Sequence, residues 1–283
     1  MHSYDASGIF VLAVAQLAGV PVAIGSQLSH RNILDRNTRW LSRLSDRYAD
    51  AIFINCEALR DYMVQSEGVP SGKLRLCYNG VDSTQFNAKN RIRPDKLAGA
   101  SLVIGSVCVL RPEKNLKLLQ EAVARVLPLD PGLQLVLVGS GPELASLQEN
   151  ASRLGISANS QFIPATREVS YWLRGMDIFV LPSYSEAFSN SLLEAMACGC
   201  AVVGSKVGGT PELIGKNEER GRLFESGNVE QLADALASLI QNRQLREELA
   251  AKAAIHARTN LSIEKAAEVT GGIYEELLAK AAR

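Results

Sequence analysis

Two glutamates stand eight residues apart in the run Leu181-Pro-Ser-Tyr-Ser-Glu186-Ala-Phe-Ser-Asn-Ser-Leu-Leu-Glu194-Ala-Met-Ala-Cys-Gly199. The apolar stretch from Asp177 to Leu181 reads as a buried strand ended by a proline, and a polar loop carrying Glu186 follows. A helix then begins near Asn190, capped by Ser189 or Asn190, with Glu194 in its first turns. The N–H groups and positive end of such a helix suit an anion such as a diphosphate. Carboxylates repel phosphate, but they accept hydrogen bonds from the hydroxyls of ribose and sugar. Phosphate over the helix start and hydroxyls on the acids together describe a nucleotide-sugar.

Cations for such a ligand lie upstream. Arg111 and Lys114 occur in Val109-Leu-Arg-Pro-Glu-Lys-Asn-Leu, where a strand gives way to a helix. Strand C-termini of parallel sheets are where ligands bind, and two cations there would neutralise a departing diphosphate. The turn Gly139-Ser-Gly141-Pro-Glu143 follows the apolar strand Leu133 to Val138. Leu144 stands where a dinucleotide fingerprint needs its third glycine, which sets NAD aside. A plain tight turn and a close backbone approach to a nucleotide both fit the two glycines. The sequence has no Asp-x-Asp pair and no His/Cys/Asp cluster at ligand spacing, so no metal is expected.

The string P-S-x-x-E-x-F-x-N-x-L-L-E-A-M-A-C-G, with Val207-Gly-Gly-Thr-Pro-Glu212 downstream, closely resembles the donor-site signature of family 4 retaining glycosyltransferases. The resemblance is strongest from Leu102 to Glu212. It implies an α/β chain of GT-B fold: two Rossmann-like, doubly wound parallel-sheet domains facing each other across a cleft, the first incomplete here. It implies that Glu194 holds the ribose hydroxyls and that Glu186 contacts the donor sugar or supports the reaction centre. Backbone amides of Phe188, Ser189 and Asn190 would hold the distal phosphate, Gly139 and Gly141 would admit the nucleotide, and Gly208, Gly209 and Thr210 would close the pocket. The base would be read near Pro164 to Arg167, and His2 would face the donor sugar from the first domain. The family's arginine falls at Val109; positions two apart in a strand share a face, so Arg111 is expected in its stead. The family mechanism needs no protein nucleophile: attack occurs on the face of departure, and the leaving phosphate helps deprotonate the acceptor.

The organisation agrees with that class. The chain has 283 residues, 47% hydrophobic and 21% charged, enough for one large or two ordinary domains. Thirty acidic residues balance thirty basic ones, so nothing favours nucleic acid. Five cysteines without metal spacing suggest free thiols in a reducing compartment, with Cys198 and Cys200 as core packing. Neither a signal peptide nor an apolar run long enough for a bilayer is read, which implies a cytoplasmic protein. Arg36, Arg39, Arg43 and Arg47 form a stripe beside Trp40, Leu41, Leu44 and Tyr48. Its apolar side packed on the first sheet with arginines in water is the preferred reading, and peripheral contact with the inner face of the plasma membrane the alternative.

Strand-like and helical runs alternate throughout, as a parallel sheet covered by helices requires. The first part shows about three strands, with a helix from about Asp5 to Ala18, a strand at Val20 to Gly25, and His2 in the place that follows a strand. Ser83 to Ala100 reads as a linker. The end, from Val229 to Ala282, reads as helix, the last part of which has the periodicity to return to the first domain. The expected domains are 1–90 for the acceptor side, 91–260 for donor binding, and 261–283 for the returning helix. The function expected is transfer of a hexose, with retention, from a UDP- or GDP-linked sugar to a saccharide or lipid-linked hydroxyl acceptor in cell-surface or extracellular polysaccharide synthesis. No cofactor beyond this donor substrate is implied. A nucleotide-sugar-binding module that needs a partner for the missing acceptor half is the rival reading; a nucleotide-sugar epimerase or a sugar phosphorylase is a weaker third.

Overall fold

The structure, a computed structural model, describes residues 1–4, 8–31, 34–89 and 91–282. In chain order it contains β1 (His2–Tyr4), α1 (Gly8–Leu17), β2 (Ile24–Gln27), α2 (Arg36–Ser45), β3 (Ala51–Ile54), α3 (Glu57–Gln65) and β4 (Leu74–Leu76). Then come β5 (Val103–Val107), α4 (Leu116–Val126), β6 (Gln134–Val138), α5 (Leu144–Arg153), β7 (Ser160–Ile163) and α6 (Val169–Gly175). The remainder is β8 (Ile178–Leu181), α7 (Asn190–Ala197), β9 (Ala201–Ser205), α8 (Thr210–Ile214), β10 (Arg222–Phe224), α9 (Val229–Gln241), α10 (Arg243–Asn260) and α11 (Ile263–Ala281). The chain divides into two compact units.

The first unit comprises Met1–Gly80, Glu186–Phe188 and Leu261–Arg283. Its sheet is parallel, in the order β1-β2-β3-β4. Three strands were expected, with His2 beyond the end of one; instead His2 lies on a strand, opposite Ile24, and Tyr4 lies opposite Ser26. Three residues are too few to show a period, so the sequence gives no signal there. The strand expected from Val20 begins at Ile24: Pro21 has no N–H for the ladder, and the Ala23 N–H donates to the Asp50 carboxylate at 2.7 Å. Asp5, the expected helix start, and Arg283 lie outside the described residues. Val22, Ile24, Ala51 and Phe53 form a core with Leu277 of α11.

Helix α2 starts at Asp35, whose carboxylate accepts from the amides of Asn37 (3.0 Å) and Thr38 (3.1 Å). The arginine stripe then does something neither reading foresaw. Arg39 Nε and Arg43 Nε each donate to one oxygen of Glu67 at 2.8 Å, and the Tyr62 hydroxyl donates to it at 2.7 Å. The Glu67 side chain is fully buried. Burial alone would raise its pKa, but hydrogen bonds from Arg39, Tyr62 and Arg43 outweigh it and hold the carboxyl below the usual range. Arg36, Trp40 and Arg47 stay exposed. Glu67→Ala should therefore cost about 2–4 kcal/mol at pH 7 by leaving two guanidiniums facing a void. Its stabilisation exists above the ordinary glutamate pKa and is lost as pH falls through the depressed folded value. Urea denaturation should thus show parent and variant converging in acid.

The second unit comprises Val81–Ser185 and Ser189–Asn260, built on a six-stranded parallel sheet in the order β10-β9-β8-β5-β6-β7. Its core joins Ile104, Leu135 and Val180 of the sheet to Leu119 of α4 and Leu236 of α9. The chain builds outward from β5 through β6 to β7, then returns with β8 on the other side of β5. That reversal creates a crevice beyond the carboxyl ends of β5 and β8. The boundary expected near residue 90 falls at Gly80–Val81 in this division. The stretch expected as a linker is clamped to the second unit: Arg91 donates to the Gly199 carbonyl (2.7 Å) and Arg93 to the Asp177 carboxylate (2.9 Å). The helical end is three helices, with Asn242 accepting from Leu245 N (2.9 Å) and Ser262 from Lys265 N (3.2 Å) at the restarts. Among the described residues no helix is long and apolar enough to cross a membrane.

Candidate functional site

The crevice of the second unit gathers most of the residues singled out from sequence. All four residues of β8 are buried, and Pro182 ends it. The next turn is fixed by its carbonyl: Ser183 O accepts from Ser205 Oγ (2.7 Å) and Ser226 Oγ (3.3 Å). Tyr184 N–H donates to Glu113 O at 2.8 Å, tying the β8 loop to the loop after β5. Helix α7 then starts with Ser189 as its cap, the hydroxyl accepting from Leu192 N at 3.3 Å. Leu192, Leu193, Ala195 and Met196 bury the helix, so its start is held rigidly at the crevice.

Glu194 lies in the second turn of α7, half-buried among these apolar neighbours. Burial alone raises its carboxyl to a pKa of about 7. Among the described residues no charge or hydrogen bond offsets it. A carboxylate there gains from any hydroxyl donors a ligand brings.

Across the switch point, β5 stops at Val107. A 3₁₀ turn of Pro112–Lys114 follows, and Asn115 caps α4 in the left-handed conformation (φ 50°, ψ 40°). Lys114 is half-buried at the end of that turn. Arg111 does not inherit the place of Val109 by strand alternation, because the strand has ended: Arg111 N–H bonds back to Val109 O at 2.9 Å. Its guanidinium is exposed, 3.9 Å from Glu113, and lines a cavity of about 220 Å³ with Asn115, Glu143 and Tyr184. Asn115 and the Tyr184 amide were missed from sequence. The signal for Asn115 was its residue type, since asparagine tolerates the left-handed region ahead of a helical run.

Gly139 and Gly141 serve the protein's own backbone. Gly139 has φ +148°, and a Cβ on it would lie 1.8 Å from Cys108 O; one on Gly141 would lie 2.4 Å from Leu110 O. The glycines thus let the β5 and β6 loops interlock. Ser140 Oγ accepts from Ala165 N at 3.0 Å, joining this turn to the loop after β7 that carries an exposed Arg167. Gly209 caps α8, and the buried hydroxyl of Thr210 at its start has no partner.

Glu186, Ala187 and Phe188 are counted with the first unit. There Cys56 Sγ donates to Ala187 O (3.3 Å), and the buried Phe188 ring lies 5.7 Å from that of Tyr78. Glu186 is half-buried. His2, on β1, has both ring nitrogens engaged: Nδ1 with the Tyr274 hydroxyl (2.5 Å) and Nε2 with Ser26 Oγ (2.7 Å). Burial, then the positive N-terminus, lowers its pKa, so it is neutral at pH 7.

Cys198 and Cys200 are buried and free. Burial pushes the Cys198 thiol up to about 12 and that of Cys200 higher still, so both stay protonated. Among the described residues no group of three His, Cys, Asp or Glu is placed to hold a metal ion.

The chain is similar to known proteins in sequence and in fold. The model of the glycosyl transferases group 1 matches residues 88–256, and that of Glycosyltransferase Family 4 matches residues 1–85. The lipopolysaccharide core biosynthesis mannosyltransferase LpsB of Rhizobium meliloti is 27% identical over 253 residues, covering 86% of this chain and 70% of that one. A D-inositol 3-phosphate glycosyltransferase of Saccharomonospora viridis is 29% identical over 245 residues, covering 82% of this chain. The chain spans 56% of the length of that relative, and other curated relatives it matches are likewise about twice its matched length. Among solved structures, HepE of Anabaena superposes with a TM-score of 0.86 at 20% identity, over 98% of this chain and 78% of that one. HepE has been crystallised with UDP and with UDP-glucose. With its two parallel sheets and these matches, the chain belongs to the group 1 glycosyl transferases and has the GT-B fold.

Proposed function

We propose that the chain carries the donor-binding machinery of a retaining glycosyltransferase, which moves a hexose from a UDP- or GDP-linked donor to a hydroxyl of a saccharide or lipid-linked acceptor. The product on this reading is a cell-surface or extracellular polysaccharide, by analogy with the lipopolysaccharide core mannosyltransferase LpsB. One observation carries the reading: Lys114 and the Ser189-capped start of α7 stand after β5 and β8, the two strands that flank the switch point.

At that point Lys114 and the first-turn amides of α7 stabilise the diphosphate as it departs. Glu194 accepts from the ribose hydroxyls. Glu186 takes the donor sugar, and the loop of Pro164 to Arg167 meets the base. The departing phosphate oxygen accepts the acceptor's proton while the acceptor oxygen attacks from the same face, so no side chain acts as nucleophile. Arg111 contributes at most long-range positive potential, given its exposed position. His2 acts as a neutral hydrogen-bonding group. The rival reading is a nucleotide-sugar-binding module that needs a partner for its acceptor side.

Calorimetry with UDP, GDP and ADP tests the site. One nucleotide should bind, and Lys114→Ala should weaken it by about 1–3 kcal/mol, the range for hydrogen bonds to charged groups. Unchanged affinity would remove Lys114 from the site. Transfer or hydrolysis of the matching nucleotide-sugar by the chain then separates enzyme from binder.

A further inference from the structure

The opposite edge of the second sheet holds a basin that this reaction does not use. The donor-side residues follow the carboxyl ends of the strands; the basin lies at their amino ends. Asp177, immediately before β8, and Gly199, two residues before β9, line it. It encloses about 440 Å³, within the range of roughly 300–1,000 Å³ typical of small-molecule pockets. Strands of this length separate the two edges by about 15 Å.

Its chemistry is cationic. Arg91 and Arg93 come from the stretch after the unit boundary, and Arg243 and Arg246 from the first turn of α10. Four guanidiniums face two carboxylates, Asp177 and Glu247, a formal excess of two positive charges in a chain whose net charge is zero. The inner pair is fixed in advance: Arg91 is held by the carbonyls of Gly199 and Arg174, and Arg93 by Asp177. Beside Asp177, Arg93 Nη1 is buried and among the described residues has no acceptor. At the mouth, the Arg243 side chain is 80% exposed, with Glu247 at 2.7 Å on its own helix. The α10 wall between these charges is apolar, formed by Ala250, Ala251 and Ala254.

We propose that this basin is a second anion site, which takes a phosphate-bearing small molecule with its phosphate among the arginines and its body on the alanine wall. Planar guanidinium forks converging from two directions match the several oxygens of a phosphate better than a single carboxylate. The site is independent of the donor reading.

The test uses inorganic phosphate as the probe, with chloride at equal ionic strength as the control. It is run on a Lys114→Ala protein, so that the donor side contributes little. Phosphate should raise the melting temperature and give saturable binding. Arg243→Glu, at an exposed position that keeps the fold, should weaken that binding at least tenfold and leave UDP affinity in the parent chain unchanged. Phosphate acting no differently from chloride on Lys114→Ala, or Arg243→Glu binding it as tightly as its parent, would overturn the proposal.

Discussion

Replacing Glu194 by glutamine should weaken nucleoside-diphosphate binding about tenfold to a hundredfold and, at pH 8, make the unliganded protein more stable. The two effects share one cause. The carboxyl sits among Leu193, Met196 and their neighbours with its pKa raised to about 7 by burial. A folded value above the unfolded one means that the unfolded chain releases its proton first. Stability therefore falls as pH rises from the ordinary glutamate value to about 7, and stays reduced above it. A shift of that size corresponds to no more than roughly 3 kcal/mol, and partial exposure lowers the expectation to about 1–2 kcal/mol. Glutamine removes the penalty, and the melting temperature of the variant should lose this pH dependence. In the ligand complex the order reverses. Ribose hydroxyls donate to the carboxylate and favour its charged form, whereas an amide offers one weaker acceptor. Binding at pH 6 should accordingly release a fraction of a proton, read as a dependence of calorimetric heat on the buffer. A parent protein with no such dependence, and a variant no more stable at pH 8, would place Glu194 in ordinary solvent.

Gly139→Ala should cost about 3 kcal/mol or more and abolish nucleotide binding with it. Backbone strain at φ +148° is the smaller part of the loss. The new methyl would meet Cys108 O at 1.8 Å, and that carbonyl cannot retreat easily. Cys108 N is bonded to Val138 O and Leu110 N to Ser140 O, both at 3.1 Å, so the two loops move together or not at all. Displacing them also disturbs Ala165, held by Ser140, and with it the loop that carries Arg167. Gly99→Ala is the control: nothing lies within 4 Å of its Cβ position, and a change within about 0.5 kcal/mol is expected. Circular dichroism melts of both variants would separate a local clash from a general intolerance of alanine in loops.

These two residues also show how far letters alone reach. Glu194 was legible because an apolar strand, a proline, a capping serine and a helical run are local patterns whose periods fix their faces. The strands at Leu133 to Val138 and Asp177 to Leu181 were legible for the same reason, since strands buried on both sides read as apolar runs. His2 was placed beyond a strand because three residues carry no period; only pairing with Ile24 to Ser26 revealed β1. Arg111 was assigned by extending a strand four residues too far, and where a strand stops depends on neighbours distant in sequence. The arginine stripe was expected to continue through Arg47, but α2 ends at Ser45, and Glu67, the partner of Arg39 and Arg43, lies more than twenty residues on.

The sequence by itself determined the class of this protein: alternating buried strands and helices, an anion-ready helix start, and acids suited to hydroxyls. Those are properties of short segments, set by backbone sterics and side-chain chemistry. Tertiary structure alone decided which charges are spent inside the protein and which remain for a ligand. Arg39 and Arg43 are spent on Glu67, whereas among the described residues burial is the one cause acting on the Glu194 carboxyl. Desolvation and pairing depend on what long-range folding brings near, and no local pattern encodes that.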